Sequence, residues 1–160
     1  MKQFVGLYLF FLLVFYIVFY AHTSIVSIGL NEAQTNLTLF FLDIFLSPGQ
    51  LQGQDIIISP VYKIIINQAC NGMIPILFLF ASIAAYPAPM LAKLFWMFVG
   101  YIIFVIVNVV RILFVVAMTE QGEGQVEFYW SHDIVGNTLL MITGLALFVA
   151  FIKTSSKRLD

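Results

Sequence analysis

Charge is scarce in this chain and cysteine nearly absent. The 160 residues include 7 Lys and Arg and 8 Asp and Glu, a formal net charge of -1. No basic face is available to neutralise phosphates, which excludes a nucleic-acid partner. The single cysteine, Cys70, rules out an intramolecular disulfide and any CxxC redox or zinc motif. Internal repeats and low-complexity tracts are missing as well. What remains is apolar: 62% of the residues are hydrophobic, 16% are aromatic and 9% are charged, too little polar surface for a soluble globule. Such a chain belongs in a lipid bilayer. Its length suits one membrane-embedded domain, 1–160, with a few spanning helices.

At ~1.5 Å per residue, about 20 apolar residues cross a hydrocarbon core. Spans are expected at 4–21, 70–86, 91–118 and 134–152. The first exceeds the roughly 7 to 15 residues of a signal-peptide core and reads as an uncleaved anchor. The third is longer than a crossing needs and must tilt, bend or project. After the first span, "NEAQTN" loosens the apolar pattern, and "LTLFFLDIFL" is too short to span and fits a helix lying in the interface. "SPGQLQGQ" reads as a loop, and "DIIISPVYKIIIN" carries two β-branched triplets around Pro60, which read as short extended segments. The expected fold class is therefore an all-α membrane protein. It has about four transmembrane helices, an interfacial helix and short extended segments on the outer face.

Lys and Arg beside spans are retained in the cytoplasm. With four spans, Lys2, Lys93, Lys153, Lys157 and Arg158 fall on one side; Glu32, Asp43, Asp55, Glu120, Glu123, Glu127 and Asp133 fall on the other, with Lys63 the one cation among them. Both termini are then cytoplasmic, and the chain is a multi-pass protein of the cytoplasmic (inner) membrane.

This topology brings three polar residues to similar depth near the outer face. Cys70 opens the second span, His132 opens the fourth, and Arg111 lies about seven residues before the outer end of the third, roughly 10 Å below the surface at the helical rise. Each has a structural explanation: a small filler for Cys70, a helix N-cap in "SHD", and a snorkelling guanidinium for Arg111. An intramembrane cation is nonetheless a functional candidate, because lipid exposure costs on the order of 3 kcal/mol or more. Asn108 shares the Arg111 helix face, which makes a polar stripe. Together the three residues supply a nucleophile, a base and a fork of donors for a carbonyl or oxyanion. A nearby His, a nearby Arg and a helix N-terminus are the features that activate a thiol.

"ACNGM" around Cys70, "NVVRI" around Arg111 and "HDIVG" around His132 resemble, in order and spacing, the exosortase and archaeosortase family of membrane cysteine transpeptidases. The likeness covers roughly 68–148, and the short chain is similar to a core-only form such as exosortase H. The resemblance implies a catalytic triad of Cys70, Arg111 and His132, with Asn108, Asn71, Gly72 and Gly136 as supporting motif positions, although serine is common where Asn71 stands. It also implies an active site facing the extracytoplasmic side and no cofactor or metal. Its substrates would be membrane-anchored proteins bearing a C-terminal signal of motif, span and basic tail. Cleavage would pass through a thioester to an acceptor nucleophile that the resemblance leaves open.

Two other readings remain at this stage. One is a non-enzymatic membrane subunit whose Arg111 contacts an acidic lipid or a partner. The other is a metal site drawing on Cys70, His22 and His132.

Overall fold

The computed structural model describes residues 2–21, 25–121 and 129–156. His22, Glu123, Glu127, Lys157 and Arg158 lie outside the described residues. Among the described residues, three helical stretches are long and apolar enough to cross a membrane: Gln3–Tyr20, Met90–Gln121 and Ile134–Ser155. They correspond to the first, third and fourth expected spans.

The first begins as α1 (Lys2–Phe15) and ends in a wider π-helical turn, Tyr16–Tyr20, closed by the Ala21 N–H donating to the Tyr16 carbonyl at 2.8 Å. The second is the long central helix α4, Met90–Gln121, whose 32 residues reach about 48 Å. The last, α5 (Asn137–Ser156), is preceded by a π-helical segment, Tyr129–Gly136.

The second expected span is corrected. In place of a helix over 70–86 there is a 3-10 turn, Gln68–Cys70, and then α3, Met73–Ala85. At 13 residues α3 reaches about 20 Å, less than a hydrocarbon core of ~30 Å. The helix starts late because Gly72 takes φ 75°, the left-handed region, and breaks the helical path immediately after Cys70.

The interfacial helix is also longer than expected. α2 runs over Ile25–Phe45 and takes in the whole of "NEAQTN". Its amphipathy is inverted: Ile25, Val26, Ile28 and Phe40 are exposed, while Ser27, Asn31, Gln34, Thr35 and Thr38 are buried. Polar residues three and four apart share one helix face, and here that face turns to the protein interior. An apolar exterior with a polar interior is the arrangement a bilayer favours.

The extended segments form as expected. β1 (Leu51–Gln52), β2 (Asp55–Ser59) and β3 (Tyr62–Ile65) make an antiparallel sheet in that order, with Ile56 opposite Ile64. Ile56, Ile64 and Ile66 pack with Leu42 of α2 and Val109, Ile112 and Val116 of α4. The sheet thus caps one end of the bundle, tied there by a Gln50 Nε2 hydrogen bond to Glu120 at the end of α4. Lys63 pairs with Asp55 across the strands at 2.5 Å. At the far end Trp96, Tyr86, Phe148 and Phe151 form an aromatic cluster that closes α3, α4 and α5 together. Lys93 Nζ donates there to the Ala84 carbonyl at 2.7 Å, a cation at the C-terminal end of α3.

Candidate active site

Cys70 sits in its 3-10 turn three residues before α3, and the turn is held on every side by named bonds. Its own N–H donates to the Asn67 carbonyl at 2.9 Å. Gln68 Nε2 donates to the Tyr20 carbonyl at 2.9 Å, taking up an acceptor that the end of the first span would otherwise leave open. Asn108 Nδ2 of α4 donates to the Cys70 carbonyl at 2.9 Å. Cys70 is buried, 8% exposed, with its Sγ 4.0 Å from the Ile65 carbonyl.

Asn71 is fully buried and works in two directions. Its Oδ1 accepts the Met73 N–H at 2.9 Å, capping α3 where Gly72 has no side chain to offer. Its Nδ2 donates to Asn31 Oδ1 at 3.2 Å, and its carbonyl accepts from Gln34 Nε2 at 3.1 Å. A serine could cap the helix but has no second arm to reach Asn31, so the departure at Asn71 is matched by a partner on α2. Tyr101 of α4 completes the network, its hydroxyl donating to Gln34 Oε1 at 2.6 Å.

Gly72 is required by both backbone and space. A Cβ at this position would lie 3.0 Å from Asn108 Cγ, the residue that grips the Cys70 carbonyl. Gly72→Ala combines left-handed strain with displacement of Asn108 and is expected to destabilise the fold by about 1–3 kcal/mol. Thermal unfolding of the purified protein in detergent checks this: an unchanged midpoint would show that the turn relaxes freely.

Arg111 is 2% exposed. Its Nη1 donates to Asn108 Oδ1 at 3.2 Å and its Nη2 to Asn137 Oδ1 at 3.2 Å, so one guanidinium links α4 to the start of α5. Nη2 also lies 2.9 Å from His132 Nε2. Since a guanidinium only donates, Nε2 is the acceptor and a neutral ring carries its proton on Nδ1. His132 belongs to the π-helical segment, not to an N-cap as "SHD" also allowed. The same Nε2 stands 3.8 Å from Cys70 Sγ. Gly136, buried, ends this segment and is followed by Asn137.

Cys70, Arg111 and His132 therefore meet, and Asn108, Asn71 and Gly72 adjoin them. A family model described as transmembrane exosortase matches residues 2–149. The chain belongs to the transmembrane exosortase family. The match extends well beyond 68–148 and takes in the first span and α2, whose Tyr20 and Asn31 anchor the turn at Gln68 and Asn71. No curated protein and no solved structure matches the chain.

Sequence reasoning missed Asn31, Gln34, Gln68, Tyr101 and Asn137 in this exosortase. The spacing of Asn31, Gln34, Thr35 and Thr38 was the available signal, since i, i+3, i+4 and i+7 mark one helical face. From the meeting point a cavity of about 750 Å³ opens between α3 and α5. Arg111, His132 and Asn137 line its head, and its remaining walls are mostly apolar.

Proposed function

We propose that the chain is a membrane cysteine peptidase or transpeptidase that cleaves C-terminal sorting signals of exported proteins. The observation that carries this reading is the convergence at His132 Nε2, which faces the Cys70 thiol at 3.8 Å and accepts from Arg111 at 2.9 Å, in a member of the exosortase family.

In the resting arrangement Arg111 occupies the lone pair that the thiol proton needs. A substrate carbonyl is a competing acceptor for the Arg111 donors. When it draws Nη2 away, Nε2 is released to take the proton from Sγ as Sγ attacks the carbonyl carbon, and the guanidinium stabilises the oxyanion that forms. Collapse breaks the C–N bond, the amine leaves with the proton from His132, and the acyl group stays on Cys70 as a thioester. An acceptor amine or water then attacks the thioester, losing its proton to His132, and the thiol is restored. Substrate binding is thus coupled to activation of the base.

Charge supports the orientation. Lys2, Lys93 and Lys153 lie at the aromatic end of the bundle, while Asp55 and Glu120 lie at the sheet end. By the retention of Lys and Arg in the cytoplasm, the aromatic end faces inward and Cys70 faces the extracytoplasmic side of the cytoplasmic membrane. One domain spanning the whole chain then delivers the site to the boundary just outside a substrate's own span.

The test is mass spectrometry of membrane proteins with tripartite C-terminal tails, co-expressed with this chain or without it. A new C-terminus on the outer side of the tail's span, appearing only with the chain and free or joined to an acceptor, is the expected result. Intact tails in both cases would defeat the reading.

A further inference from the structure

We infer that Asn137 is a catalytic residue, whose side-chain amide donates a hydrogen bond to the oxyanion beside Arg111. This rests on the peptidase reading for the carbonyl that Cys70 attacks, and on the geometry at Arg111 for the donor.

The Asn137 carboxamide is oriented by its neighbour. A guanidinium only donates, so the atom 3.2 Å from Arg111 Nη2 is the oxygen, Oδ1, and Nδ2 takes the other side of the group. Nδ2 carries two protons, and among the described residues no acceptor takes either of them. Asn137 is exposed at the start of α5, where it lines the cavity with Arg111 and His132. The remaining polar side chain on the cavity wall, Ser82, donates its hydroxyl proton to the Phe78 carbonyl at 2.8 Å and lies about 15 Å along α3 from Gly72. Asn137 therefore brings uncommitted protons to the place where a carbonyl meets Arg111. A residue that only braced Arg111 would need an acceptor and nothing more. Aspartate would brace it more strongly through a charge-assisted bond, but would cancel the positive charge that a substrate oxygen needs. Asparagine leaves that charge intact and adds a donor of its own.

In the resting site Arg111 Nη2 serves two acceptors, His132 Nε2 and Asn137 Oδ1. A substrate oxygen replaces the first, while Asn137 stays on the second. The nitrogen that binds the oxygen is thus the one that holds Asn137 beside it. A carboxamide carries its nitrogen next to its oxygen, which puts Nδ2 at the flank of the incoming atom. As Sγ bonds to the carbonyl carbon, its proton passes to His132 Nε2 and the C=O electron pair moves onto oxygen. Nη2 and Nδ2 each donate one hydrogen bond to the charge that forms, and both keep their protons. When the C–N bond breaks, the pair returns to the carbonyl and His132 gives its proton to the leaving amine. The same two donors meet the second oxyanion when an acceptor attacks the thioester.

Two reagents separate a donor from a brace. Cys70 is the single cysteine, so reaction of the full chain in detergent micelles reads one thiol, with Cys70→Ala as the blank. Iodoacetamide alkylates sulfur by displacement and builds no oxyanion. p-Nitrophenyl hexanoate acylates sulfur through a tetrahedral oxyanion, and its nitrophenolate leaves without needing a proton. Asn137 is exposed and alanine suits a helix, so Asn137→Ala folds; it is expected to slow acylation about 100-fold while alkylation keeps the parental rate. A second background removes the brace. In an Arg111→Ala chain there is no guanidinium to hold, and adding Asn137→Ala should still slow acylation about tenfold. Equal slowing with both reagents, or no further loss in the Arg111→Ala background, would overturn the assignment. Acylation that depends on Asn137 beside uncut tripartite tails condemns the peptidase reading alone, whereas Cys70-dependent cutting that Asn137→Ala does not slow condemns the donor alone.

Discussion

A Cys70→Ala chain is expected to insert and fold as the parent does and to leave substrate precursors uncut. The turn that carries Cys70 is fixed through its backbone, by Asn67 and Asn108, and through the side chains of Gln68 and Asn71; none of these bonds uses the sulfur. Removing one small side chain therefore leaves the geometry standing and deletes only the proposed nucleophile. Loss of a nucleophile that acts as a unit with its base lowers turnover on the order of 10⁴-fold or more. Cys70→Ser should be nearly as inactive, because a hydroxyl is far less acidic than a thiol and ionises poorly in a site built for a thiolate. The ratio of precursor to product in cells at matched enzyme levels is the measurement. Parental processing by the Ala variant would remove Cys70 from the chemistry and return the chain to a binding role.

Arg111→Lys should be severely impaired although the charge is kept. The two terminal nitrogens of Arg111 reach Asn108 on their own helix, Asn137 on α5 and His132 in the π-helical segment. A lysine has one nitrogen for these three acceptors and lacks the planar fork that spans from α4 to α5. It would neither hold the imidazole tautomer nor present two donors to a carbonyl. Loss of one oxyanion donor costs on the order of 100-fold or more in rate, and here the base loses its positioning as well. Comparing Lys and Ala at 111 with the parent by precursor processing decides the matter. A Lys variant close to parental activity would mean that Arg111 serves only as an anchor to headgroups, a task lysine performs equally well.

Much of this was readable from residue types and spacing. The spans around 4–21, 91–118 and 134–152 followed from apolar length, and the extended segments from the β-branched triplets flanking Pro60. The meeting of Cys70, Arg111 and His132 followed from counting turns inward from helix ends. The late start of α3 was not readable in the same way. Hydropathy averages over Asn71 and Gly72 and sees one apolar span opening near Cys70, whereas the backbone is redirected by one left-handed glycine and capped by Asn71. The polar face of α2 was misread for a related reason. In water "NEAQTN" would mark a loop, but in lipid the polar side of a helix turns inward, and Asn31 and Gln34 become part of the support for the site. Asn137 stood in no motif singled out, and its role appears only once α4 and α5 are packed.

The brevity of α3 has a consequence for the membrane itself. α3, 13 residues beside the 32 of α4, is largely buried, so a hydrophobic mismatch with the bilayer would be confined to its narrow exposed strip at Ile74 and Phe78. Lipids next to a span that is too short thin to meet it, at a cost of fractions of a kcal/mol per Å. Thinning at the Cys70 end of α3 would bring headgroups and water toward the thiol. The alternative, lifting the first turn of a substrate's apolar span out into water, would forfeit about 0.8 kcal/mol for every methylene exposed. On the proposed peptidase reading, a water line lowered in this way would let hydrolysis or acyl transfer take place at a bond whose neighbours never leave the oil.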